Sequence, residues 1–110
     1  MSQFMRGVLL RGPHQMSLQE LPRPVPRSDQ VLVRVRYSAC CATDFDLIDG
    51  TMPDQAKYPI ILGHEWSGEV VQAPPEYAAL VGKGVVADNL VTCGICPACL
   101  AGRPNLCRKM

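Results

Sequence analysis

The sequence predicts a mainly β domain with a metal-binding loop near its end, and three features carry that prediction. Val31, Val33, Val35 and Tyr37 alternate with Leu32, Arg34 and Arg36, the period-two pattern of a strand. Pro22, Pro24 and Pro26, and later Pro74 and Pro75, punctuate the chain where helices would otherwise extend. Cys93, Cys96, Cys99 and Cys107 follow the spacing Cys-x2-Cys-x2-Cys-x7-Cys, with Gly94, Pro97 and Gly102 between them. These turn residues allow a short loop to close around an ion.

Taken in order, Arg6 to Arg11 and Met16 to Leu21 read as an antiparallel pair turned at Gly12-Pro13-His14-Gln15. The proline-rich stretch from Pro22 to Pro26 is expected as an extended connector, since it suits neither a helix nor a central strand. The alternating segment from Val31 to Tyr37 is the next strand. Thr43 to Ile48 is expected as a helical turn, with Thr43 as N-cap and Asp44 and Asp46 at its positive end. Glu65 to Ala73 and Val85 to Thr92 are expected as further strands, separated by a loop containing Pro74-Pro75. No internal repeat or low-complexity segment occurs. With 110 residues there is room for one domain with a modest core.

Four thiolates complete a tetrahedral shell and leave no position for water or substrate, so the quartet predicts a structural Zn²⁺ site. The chain holds 6 cysteines, a number that would also suit a secreted disulfide scaffold. The metal spacing, and the lack of a signal-peptide core in Met1-Ser2-Gln3-Phe4-Met5-Arg6, favour reduced thiols and a cytoplasmic setting. The formal charge is +1 with both signs mixed along the chain, which argues against a nucleic-acid partner. No apolar run approaches a membrane span, so no membrane partner is expected.

Two further segments precede the quartet. Ser38-Ala39-Cys40-Cys41-Ala42-Thr43-Asp44 is followed by Leu62-Gly63-His64-Glu65-Trp66-Ser67-Gly68-Glu69-Val70. In this order the three segments resemble zinc-dependent medium-chain alcohol dehydrogenases, the class that includes polyol and threonine dehydrogenases. The resemblance runs from Met5-Arg6-Gly7-Val8-Leu9 to Asn105-Leu106-Cys107. It implies a partial GroES-like barrel with an inserted structural zinc lobe at about 92–108. Residues 1–110 then form the N-terminal portion of the catalytic domain, with no Rossmann domain among them.

The resemblance also assigns site residues. Cys41 and His64 match two ligands of a catalytic zinc, and the motif context favours Cys41 over the adjacent Cys40. Glu65 matches an acidic residue that lies close to the metal and coordinates it transiently. Asp44 matches the carboxylate that orients the ligating imidazole, and Thr43 the hydroxyl that begins a proton relay. The implied chemistry is Lewis-acid activation of an alcohol or polyol, with hydride passing to NAD or NADP.

No Gly-x-Gly-x-x-Gly motif occurs in the chain, so the cofactor would bind only through a domain outside it. The expectation is therefore an oxidoreductase by family whose 110 residues show no turnover alone. They would act with a separate cofactor domain or as a homo-oligomer. The alternative is a non-catalytic zinc-binding module or a truncated remnant.

Overall fold

The computed structural model describes residues 2–52, 54 and 56–109; Met1 and Met110, the ends of the expected domain, lie outside them. Strand β1 (Phe4–Leu10) pairs antiparallel with β2 (Met16–Pro22) in a continuous register from Phe4 opposite Pro22 to Leu10 opposite Met16. This is the expected hairpin. Pro22 ends β2, and no strand or helix occurs between 23 and 31, as the run of prolines requires. A two-residue strand, β4 (Ile60–Ile61), adds to the other side of β1, giving the sheet order β2-β1-β4.

A second sheet has the order β3-β5-β6, built from β3 (Leu32–Ala39), β5 (Glu65–Gln72) and β6 (Gly84–Val86). The β3–β5 ladder runs from Leu32 opposite Gln72 to Ala39 opposite Glu65, with register shifts after Leu32 and between Val35 and Tyr37. At the second shift Arg36 is the extra residue of a bulge, and its guanidinium reaches Glu69 at 3.0 Å. Both of these side chains are substantially exposed, so the pair adds little stability. Gly68 is fixed by close approach: a Cβ there would press on the Arg34 carbonyl and lie 2.7 Å from Val33 Cγ1.

Helix α1 (Ala42–Asp49) follows β3 directly. It begins one residue before the expected start, and Cys41, not Thr43, is its N-cap. The reason is Asp44, whose carboxylate at the third helical position accepts the Cys41 N–H at 3.0 Å, half of a capping box. Thr43 lies within the first turn. The expected strand from Val85 to Thr92 is also corrected, since β6 ends at Val86. Beyond it the Asp88 carboxylate accepts the Leu90 N–H at 3.0 Å and turns the chain out of the ladder. Pro75–Leu80 forms 3-10 turns between β5 and β6.

The core is small. Leu10 and Val70 are the largest fully buried side chains, with Leu32 and two cysteines also buried. The extents of 41 × 41 × 21 Å explain this, since so flat a shape can enclose few side chains. Of the alternating set on β3, Leu32 is buried while Val35 and Tyr37 are exposed. Gly68→Ala should lower stability by about 1–3 kcal/mol through overpacking of the β3–β5 ladder, read as an earlier thermal transition. An unchanged transition would mean that the ladder is slack at this point.

Candidate metal centres

The β3–β5 register decides which residues meet. Ala39 lies opposite Glu65, so Cys41, just past the end of β3, and His64, just before β5, emerge at the same end of the sheet. Cys41 Sγ lies 2.8 Å from His64 Nε2. The other ring nitrogen, Nδ1, lies 3.4 Å from Asp44 Oδ1. Asp44 is 5% exposed, and its second oxygen, Oδ2, caps the helix at Cys41. Oδ1 is buried and has no hydrogen bond of its own, so the His64 Nδ1–H is the donor that its position calls for. That arrangement leaves Nε2 and the Cys41 sulfur facing each other.

Cys41, Asp44 and His64 each offer a ligand atom, and all three atoms lie within 4.8 Å of one another. A thiolate and an imidazole backed by a carboxylate suit zinc. Glu65 is exposed at the start of β5 and does not belong to this group. Thr43 is exposed on the first turn of α1, two residues beyond Cys41.

The four later cysteines form a second group, also with all ligand atoms within 4.8 Å. Local chain geometry brings them together. Gly94 and Gly102 both have φ of 74°, a left-handed conformation that side chains disfavour. Cys96 caps the short helix α2 (Pro97–Leu100), which has proline at its first position. A 3-10 turn at Pro104–Leu106 then returns Cys107 to the others. Cys93 Sγ and Cys99 Sγ are 3.9 Å apart, close to the edge of a tetrahedron with Zn–S bonds of about 2.3 Å. None of the cysteines is in a disulfide.

Backbone N–H groups point at these sulfurs: Cys96 N–H at Cys93 Sγ, 3.3 Å, Cys93 N–H at Cys107 Sγ, 3.4 Å, and Lys109 N–H also at Cys107 Sγ, 3.4 Å. Such donors favour thiolates. The Cys96 thiol is drawn down to about 6, first by the Arg108 backbone N–H and then by that of Cys99. Cys107 is also lowered, by the backbone N–H groups of Cys93 and Lys109. Burial, by contrast, pushes Cys99 up to about 11. Four thiolates this close repel one another, and a divalent cation at their centre removes that opposition. The donor set therefore fits Zn²⁺.

The profile of the "Alcohol dehydrogenase GroES-like domain" family matches residues 27–110. The chain belongs to this family. It is 40% identical over 97 residues to the L-threonine 3-dehydrogenase of Cutibacterium acnes, covering 86% of this chain and 28% of that protein. Among solved structures, an NADH complex of an alcohol dehydrogenase from Escherichia coli CFT073 superposes with a TM-score of 0.86 at 33% identity, covering 96% of this chain and 31% of that one. A cobalt- and zinc-bound thermostable alcohol dehydrogenase from Pyrobaculum aerophilum gives 0.83 at 30% identity, covering 96% and 32%. The chain thus spans about a third of the length of the relatives it matches. Its two sheets and cysteine lobe are a partial GroES-like barrel with a metal-site insertion. No helix among the described residues is long and apolar enough to cross a membrane.

Cys96→Ser should abolish the tightly held equivalent of zinc and loosen the lobe. Metal analysis after dialysis against a chelator checks this, and full zinc content with unchanged thermal stability would contradict it.

Proposed function

We propose that this chain is the metal-binding portion of a zinc-dependent alcohol dehydrogenase acting on the CH–OH group of an alcohol or polyol. NAD or NADP is held by a dinucleotide-binding domain outside these residues. The observation that carries the reading is the 2.8 Å approach of Cys41 Sγ to His64 Nε2, with Asp44 buried behind the ring. It is supported by the threonine dehydrogenase relative and by the NADH and the cobalt and zinc named for the two solved structures.

Cys41 and His64 would hold the catalytic zinc, and Glu65, next to His64 in sequence but outside the group of ligand atoms, would coordinate it only transiently. Zinc there supplies Lewis-acid polarisation of the alcohol oxygen. Asp44 keeps the proton of His64 on Nδ1, so that Nε2 presents its lone pair, and fixes the ring plane. Thr43 is exposed near Cys41, and its hydroxyl can accept the alcohol proton while donating its own to solvent. Cys93, Cys96, Cys99 and Cys107 form a closed shell with a structural role.

The hydride acceptor is assigned elsewhere because every strand pairing among the described residues is antiparallel, whereas a dinucleotide fold needs parallel βαβ units. A near-attack geometry for hydride transfer requires that fold. The second reading, a zinc-binding module without catalysis, draws on the small donor set at Cys41: the grouped carboxylate, Asp44, already caps α1.

Cobalt substitution separates the two readings. The proposed function predicts two spectra, one sulfur-rich and chelator-resistant, the other mixed and easily stripped. Alcohols or vicinal diols should perturb only the second, and His64→Ala should remove it. A second spectrum that no alcohol in a primary, secondary and polyol panel perturbs would favour the non-catalytic module. With NAD or NADP, the isolated chain should show no cofactor reduction above a Cys41→Ala control; reduction that vanishes in the control would place the whole activity in this chain.

A further inference from the structure

We propose that Tyr58 is a positioning residue for the Cys41–His64 site, its hydroxyl locking helix α1 to the segment that carries His64. The inference rests on the metal-site reading given above. Helix α1 bears Cys41 at its N-cap and Asp44 in its first turn, yet Asp44 is its sole buried residue. Phe45 is 58% exposed. With so little apolar burial, an eight-residue helix has no strong position of its own, and polar contacts must place it.

Besides the approach of Asp44 and Cys41 to His64 at its N-terminal end, such contacts lie at its C-terminal end, where the last carbonyls of any helix lack partners within it. The Asp46 carbonyl accepts from Gly50 N–H and from Thr51 N–H, both local. The Ile48 carbonyl accepts from His14 N–H at 2.8 Å, tying the helix to the β1–β2 turn. The Leu47 carbonyl accepts from the Tyr58 hydroxyl at 2.7 Å. Of these, Tyr58 is the contact that comes from the His64 side. Leu47 is one helical turn from Asp44.

Most of the chain between Tyr58 and His64 is held to β1, because Ile60 and Ile61 pair with Leu10 and Leu9 and Leu62 N–H binds the Val8 carbonyl at 3.0 Å, which leaves Gly63 alone before His64. Loss of the hydroxyl would leave the half-buried Leu47 carbonyl without its donor and free α1 to shift against His64. The four-cysteine lobe shares none of these contacts, so the effect is confined to one site.

The test uses the cobalt-loaded chain with Tyr58→Phe, which removes the hydroxyl and little else, and Tyr77→Phe, an exposed tyrosine, as control. Tyr58→Phe should weaken cobalt binding at the mixed sulfur–nitrogen site about fivefold, the scale of one net hydrogen bond, and shift that site's visible bands. The sulfur-rich spectrum should not change, and Tyr77→Phe should leave both spectra intact. Equal affinity and spectra in Tyr58→Phe and wild type would overturn the proposal, as would damage to both sites together. A wild-type chain lacking the second cobalt spectrum would instead overturn the metal-site reading. The proposal is then decided on the metal-free chain by proton NMR of its 2 histidines: His64 ring resonances that move in Tyr58→Phe support it, and unmoved ones refute it.

Discussion

The register of the β3–β5 ladder is the constraint on which the upstream site depends. Neither Cys41 nor His64 lies in a strand; each sits just past the end of one, and they meet because Ala39 is held opposite Glu65. A one-residue slip would carry every neighbouring side chain to the other face. The bulge at Arg36 already imposes such a shift part-way along, so the pairing beyond it is specified separately from the pairing before it. Gly68 lies at this point, where its lack of a side chain lets β5 approach the Arg34 carbonyl.

The downstream cysteine lobe obeys a different logic. Its four sulfurs are gathered within fifteen residues of chain by left-handed glycines, a proline-started helix and a 3-10 turn, with no strand contributing. Its cohesion comes from these turns and from the N–H groups aimed at the sulfurs, not from the sheets, and a metal held as proposed would add to it. The two sites belong to different levels of the structure, one tertiary and one local, and perturbations of the ladder and of the lobe should not cross.

That division also explains how much of the structure could be read from the chain. The β1–β2 hairpin, the connector of prolines, strand β5 and the cysteine quartet follow from patterns contained within a few residues. Ile60–Ile61 escaped because two residues display no period. Val85 to Thr92 looked like a strand by composition, but Asp88 diverts it after Val86, a competition between side chain and ladder that composition does not reveal. Thr43 looked like the N-cap by type, and Asp44 overruled it by reaching back to Cys41. The Arg36 bulge and the Tyr58 contact leave no local signature. The pairing of Cys41 with His64 came only from the likeness of their flanking motifs to a family, since long-range proximity is a property of the ladder.

The most direct measurement of the central claim, two metal sites of unlike chemistry on one short chain, is zinc K-edge X-ray absorption on the fully loaded protein, together with its zinc content. Two such sites should give two equivalents of zinc and an average shell that mixes sulfur at about 2.3 Å with nitrogen or oxygen at about 2.0–2.1 Å. Removal of the weaker equivalent by mild chelation should leave a pure sulfur shell. A single equivalent with only sulfur neighbours from the start would contradict it, and would reduce Cys41 and His64 to a hydrogen-bonded pair.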